Sequence, residues 1–204
     1  MKKTMRQMQK EQTKERLLET ACQLFSKQGI LNTRVADVAQ AAGVSHGTIF
    51  LHFETQERLV TEVVERYCGG MAARLHELTC SCGDVREFLS AHLEGIMEFE
   101  PFYTRLVIEN RFLPLGARDA WITVQSAISY HFSQMVEREI SLVRTDVPLS
   151  VLFNTWMGLI HYYLENGDLF APGESVIHRY KNVLCGNYLK MITTERMKHD
   201  AKSI

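Results

Sequence analysis

The sequence predicts an all-α fold: a three-helix N-terminal domain joined by a long helix to a larger helical domain, about nine helices in all. Three observations predict it. Apolar residues recur at the 3.6-residue helical period along nearly the whole chain, and no period-2 alternation persists long enough for a strand. The interruptions fall on Gly, on Pro or on Ser and Thr positions able to cap a helix.

Taken in order, residues 1–9 read as a flexible basic tail carrying Lys2, Lys3 and Arg6. A first helix presents Leu17, Leu18, Ala21, Leu24 and Phe25 on one face and ends at Gly29. Thr33 can cap a short helix with Val35, Val38, Ala39 and Ala42 inward, closed by Gly43. Ser45 caps a third helix reaching about His52, and Thr55 caps a long fourth one reaching about Leu78. These limits define a first domain over 10–56, a connecting helix over 57–82 and a second domain over 83–198. Further helices are expected near 84–99, 101–111, 117–143, 148–166 and 173–196. They are separated at Glu100-Pro101, Pro114 to Gly116, Asp146 to Pro148 and Pro172-Gly173.

Composition narrows the function classes. A chain of 204 residues with 46% hydrophobic and 23% charged residues has the make-up of a globular protein with a sizeable core. Its most apolar stretch, Leu149 to Leu164, is broken by Ser150, Asn154 and His161. It falls short of the roughly 20 apolar residues a membrane helix needs. The opening residues are polar and basic and lack a secretory pattern. Five cysteines, odd in number and mostly scattered, argue for a reducing compartment, so a cytoplasmic location without a membrane partner is expected. Net charge is −1, but residues 1–60 hold nine basic against six acidic side chains; they carry +3 and the remainder −4. A basic head on an acidic body suits a head that meets phosphates. No P-loop, dinucleotide motif, HExxH or nucleophile elbow is present, so neither an enzyme nor a cofactor is expected.

The stretch Thr33 to Phe53, TRVADVAQAAGVSHGTIFLHF, has the pattern of a helix-turn-helix, with the motif over 34–53. Ala39 is small where two helices must cross closely, and Gly43 can take the left-handed backbone of the turn. Val44, Ile49 and Phe53 point inward. His46, Gly47, Thr48, Leu51 and His52 project outward from the second helix, whose start is the part of such a motif that meets base edges. The amides near Ser45 and His46 suit a phosphate oxygen.

The segments LFSKQGILNT, ADVAQAAGVSHGTIFLHF and TQERL resemble the TetR family over about residues 10–70. The resemblance implies a ligand-responsive regulator, a repressor released from a palindromic operator when a small molecule binds the second domain. It implies base-edge contacts at His46, Gly47 and Thr48 and contacts to backbone or thymine methyls at Phe50, Leu51 and His52. Thr33 and Arg34 would clamp phosphates, and Ser45 and Gln56 complete the set. Three positions depart from the family's usual residues: His46 stands where Lys or Arg is common, Phe50 where Tyr is, and Gln56 where Lys is. These departures keep open a rival class, a helical interaction protein without specific DNA binding.

The helix over 148–166 is apolar nearly all round and must be buried on every side. The resemblance implies that it and the last helix pair with their copies in a homodimer, through Trp156, Gly158, Ile160, Tyr180, Val183, Leu184, Asn187 and Met191. Phe99, Phe102, Tyr103, Arg105, Trp121, His161 and Tyr162 are candidates to line a pocket for an unidentified effector. The only combination with metal-ligand chemistry is His76 and Cys80, spaced i,i+4, with Cys82, an alternative route to metal or redox sensing.

Overall fold

The computed structural model describes residues 4–194, and ten α-helices and one 3-10 turn make up the fold there. They are α1 (Met5–Gln28), α2 (Val35–Ala42), α3 (His46–Phe50), α4 (Gln56–Thr79), α5 (Val85–Glu98), α6 (Glu100–Glu109), α7 (Leu115–Arg138), α8 (Leu149–Glu165), α9 (Gly167–Phe170) and α10 (Val176–Ile192). The 3-10 turn Asn110–Phe112 links α6 to α7. Among the described residues the only strand-like pairing is an isolated bridge between Val143 and Thr193. Among the described residues no helix is long and apolar enough to cross a membrane.

The chain forms two compact units, and their limits differ from the expected domains. The first takes the chain up to Gly69 together with Pro101–Ile122; the second takes Gly70–Glu100 and the chain from Thr123. In the first unit α1 begins where Thr4 and Gln7 cap each other: the Thr4 amide donates to Gln7 Oε1 at 2.9 Å and the Gln7 amide to Thr4 Oγ1 at 3.3 Å. The expected flexible tail is therefore helical from Met5 on. Leu17, Ala21 and Phe25 on the inner face of α1, Val38 of α2, Ile49 of α3 and Phe53 after it are all buried, and α1 packs on α2.

The α6 segment is fixed to this unit through Phe102, whose ring lies 6.3 Å from that of Phe25 and 4.1 Å from that of Tyr67. At the far end of α6 the buried Glu109 carboxylate accepts the Leu31 amide at 2.7 Å. Gly29, at φ 99°, ends α1 beside it, and a Cβ there would stand 2.8 Å from Glu109 Oε1. Both the left-handed backbone and the close carboxylate require glycine.

In the second unit α5 packs on α10 and α10 on α8. Buried Glu100 holds the start of α10: its carboxylate accepts the Ser175 hydroxyl and the amides of Val176 at 2.7 Å and Ile177 at 3.3 Å. An anion at a helix N-terminus satisfies amides that have no intrahelical acceptor and meets the favourable end of the dipole. Tyr188 of α10 donates to the Leu152 carbonyl at 2.6 Å and packs its ring 4.8 Å from Trp156.

Candidate nucleic-acid interface

Gly43, at φ 66°, turns the chain between α2 and α3 in the left-handed conformation foreseen for it, and the Val44 amide reaches back to the Ala39 carbonyl at 3.0 Å. Ser45 then caps α3: its Oγ accepts the Thr48 amide at 3.2 Å and lies 2.8 Å from Thr48 Oγ1. Ile49 and Phe53 are fully buried and anchor the short helix. Each contributes about 1.5–3 kcal/mol by leaving water. That leaves His46, Gly47, Phe50 and Leu51 on the exposed side. Leu51 is 76% exposed, an apolar side chain held in water by a helix too well anchored to rotate it inward. The His46 ring stands edge-on to Phe50 at 5.0 Å.

Other expected residues occupy different roles. Thr33 is buried; its hydroxyl donates to the Gly29 carbonyl at 2.6 Å and accepts Gln28 Nε2 at 3.2 Å, so it cannot clamp a phosphate. Gln56 extends Nε2 to the Thr33 carbonyl at 3.3 Å, so the amide that replaces the family's cation braces the head internally. Arg34 is exposed and starts α2, its amide donating to Asp37 Oδ2 at 2.8 Å. His52 is half-buried with Nδ1 shielded and unpartnered. Burial, with Lys10 and Lys14 nearby, holds its imidazole below the usual histidine range. Lys10 thus belongs to α1 and to the surroundings of His52. The spacing of Lys10, Lys14 and Leu17 on one helical face was the sequence signal for that placement.

Residues 17–63 match the family described as bacterial regulatory proteins, tetR family. Over that segment the chain is similar to the TetR family. The match covers the whole α2–α3 pair with the second half of α1 and the start of α4. Among relatives of this chain, the Mycobacterium tuberculosis repressor KstR2 is 24% identical over 193 residues, covering 85% of this chain and 92% of KstR2. The Bacillus subtilis regulator YerO is 23% identical over 177 residues, covering 80% of this chain but only 60% of YerO. The crystal structure of Bacillus subtilis FadR in complex with stearoyl-CoA shares the fold, with a TM-score of 0.69 at 15% identity, covering 86% of this chain and 97% of that one.

The residues expected at a homodimer interface divide by burial. Trp156, Ile160 and Leu184 are wholly inside the protomer's own core, where Trp156 packs on Tyr188, so they are not available to a second copy. The helix is apolar on most sides because its own unit covers most of it. Gly158, Val183, Asn187 and Met191 are exposed, Tyr180 is half-buried, and a Cβ on Gly158 would meet nothing within 4 Å.

The residues expected at the effector pocket come from both units. Phe102, Tyr103, Arg105 and Trp121 belong to the first unit, and Phe99, His161 and Tyr162 to the second. Phe102 serves the core beneath α1, Tyr103 packs edge-on to Trp121 at 5.0 Å, and Arg105 donates to the Lys27 carbonyl at the end of α1 at 3.3 Å. Tyr162 is 58% exposed. His161 is half-buried, and burial depresses its imidazole to about 4. His92, which the sequence reading passed over, lies fully buried in the second unit. Its place on the stripe Phe88, Leu89, His92, Leu93, Ile96 was the available signal.

Among the described residues no three His, Cys, Asp or Glu side chains gather around a common point. The His76 ring faces His131 at 5.5 Å, while the thiols of Cys80 and Cys82 turn back to the carbonyls of Glu77 and Leu78 at 3.3 and 3.4 Å. Burial, with Glu87 and Asp84 nearby, pushes the Cys82 thiol up, away from the thiolate that metal binding requires.

Proposed function

We propose that this chain is a cytoplasmic, homodimeric transcription regulator, a repressor that reads a palindromic operator through α3 and releases it when a small molecule binds the second unit. The observation that carries the reading is the capped, doubly anchored α3, which holds His46, Gly47, Phe50 and Leu51 toward solvent on a basic head. A recognition helix needs that combination of a fixed inner face and a free outer one. Base readout is assigned to His46, Gly47, Thr48 and Leu51, backbone contact to Phe50, His52 and the amide end at Ser45, and phosphate neutralisation to Arg34. Effector release draws support from the relatives, one named a repressor and one solved with stearoyl-CoA. Dimerisation through Gly158, Val183, Asn187 and Met191 is part of the same proposal.

The test is a gel shift on the DNA upstream of the chain's own gene, against random duplex, over a series of salt concentrations. Leu51→Ala should weaken operator binding about tenfold, as expected for loss of a thymine-methyl contact, and leave random DNA unaffected. Arg34→Ala should weaken both and reduce the salt slope by about 1. Equal losses on both duplexes for Leu51→Ala, or wild-type protein without operator preference, would overturn the reading in favour of a helical interaction protein.

A further inference from the structure

The buried polar side chains of the second unit can be accounted for one by one. Thr79 donates to the Leu75 carbonyl at 2.7 Å and Thr193 to the Leu189 carbonyl at 2.9 Å. Glu100 is filled by three donors at the start of α10. Tyr188 reaches the Leu152 carbonyl. Trp156 donates its indole N–H to His92 Nδ1 at 2.9 Å. One atom is left over: His92 Nε2 is the only buried, unpartnered side-chain polar atom described in this unit.

Its protonation follows from its neighbour. An indole nitrogen can only donate, so Nδ1 must offer a lone pair, and a neutral imidazole then carries its proton on Nε2. Neutrality is secured by complete burial, with His161 close by, which depresses the ring to about 3. His92 therefore presents a fixed N–H donor with no acceptor. It does so among aromatic rings: Phe88 at 6.2 Å and Trp156 at 6.3 Å from the imidazole, Phe132 against Phe88, and Phe153 against Phe132.

A small-molecule site is largely apolar with a few placed polar groups, and a buried donor without an acceptor is the kind of group a ligand satisfies. We infer that the effector is an uncharged, mainly apolar molecule whose carbonyl oxygen accepts the Nε2–H of His92 among the rings of Phe88, Phe132 and Trp156. This rests on the ligand-responsive reading above and specifies the chemistry of its ligand. A cation is disfavoured because the buried carboxylate of the unit, Glu100, is already saturated. A carboxylate would need a buried counter-charge, and both nearby histidines are held neutral.

The experiment uses two molecules of nearly the same shape, acetophenone and α-methylstyrene, which differ in C=O against C=CH2. Each is titrated into the full-length protein without DNA, with the His92 Nε2–H followed by 15N–1H NMR. Acetophenone should move that signal downfield and bind at least tenfold more tightly than α-methylstyrene, a difference of about 1.4 kcal/mol. His92→Phe should abolish the preference, and His92→Gln, which keeps a donor, should restore part of it. Equal binding of the two molecules, an unmoved His92 signal, or a preference that survives His92→Phe would overturn the inference. Because no DNA is present, those outcomes would leave operator binding untouched, whereas failure of the gel shift would strike the regulator reading itself.

Discussion

In water an imidazole titrates near 6.5, whereas that of His92 is held down to about 3 by complete burial. The sign of the consequence follows from linkage. Below pH 6.5 the unfolded chain binds a proton that the folded one refuses, so stability is retained above that value and declines as pH falls toward the folded value. For one such group the decline is about 1.4 kcal/mol per pH unit. Urea midpoints measured at pH 7.5, 6.0 and 5.0 should therefore fall steadily for the wild-type chain. They should fall less for His92→Phe, with the m-value unchanged. A His92→Phe chain with the wild-type pH slope would show that the imidazole titrates normally in the fold. The same residue marks the limit of local reading. Its inward position was legible from the apolar stripe of α5, but its bond to Trp156, 64 positions away, was not. Thr33 and Gln56 are parallel cases: a Thr before a helix reads as a cap, and only the contact from Gln56, 23 positions on, shows it to be an internal brace.

At the scale of elements, helix existence was legible and helix limits less so. Ser45 and Thr55 cap α3 and α4 as their sequence positions suggested, with the Arg58 amide donating to Thr55 Oγ1 at 3.0 Å. The stretch expected to be helical from 173 starts only at Val176, because the cap is set by Ser175 and Glu100 together, and Glu100 comes from another helix. Glycines inside helices separate two kinds of physical demand. Gly95 of α5 has Leu75 so near that a Cβ would overlap Leu75 Cδ2, and Gly116 of α7 would meet Thr61 Cγ2 at 2.8 Å. Gly69 and Gly70, adjacent in the middle of α4, are exposed, and a Cβ on either meets nothing within 4 Å. Packing gives them no reason to be small, and each costs about 0.5–1 kcal/mol of helix stability relative to Ala. Gly69→Ala and Gly70→Ala should each raise the unfolding free energy by about that amount, whereas Gly95→Ala should lower it by about 1–3 kcal/mol through overpacking. Chemical denaturation of the three variants decides it. A destabilised Gly69→Ala or Gly70→Ala would mean that α4 needs its glycines for backbone shape.

At the scale of the molecule, the interleaving of the two units was beyond sequence reading. Periodicity reports which face of a helix is buried, not which distant helix buries it, so α6 looked like part of the second domain although Phe102 and Glu109 fix it to the first. The head, by contrast, is contiguous, and the α2–turn–α3 pattern was legible almost residue by residue. The same distinction governs the proposed dimer. Burial removes Trp156, Ile160 and Leu184 from the candidate interface and leaves an exposed strip with Gly158 on α8 and Val183, Asn187 and Met191 on α10. In a two-fold dimer the same patch meets itself, so a charge placed near the axis meets its own copy at short range in a desolvated setting. Gly158→Glu is the discriminating substitution. Its Cβ has open space within the protomer, and replacing a helical glycine there favours the helix, so the melting temperature of the isolated chain should hold or rise. Across a self-paired face it should split the dimer, which sedimentation velocity would read directly. Two heads can bind successive half-sites, roughly 34–36 Å apart, cooperatively only when they are joined. Operator affinity should therefore drop by about a hundredfold or more while binding to random DNA changes little, since head chemistry is untouched. A Gly158→Glu chain that remains dimeric with full operator affinity would place the interface elsewhere on the surface.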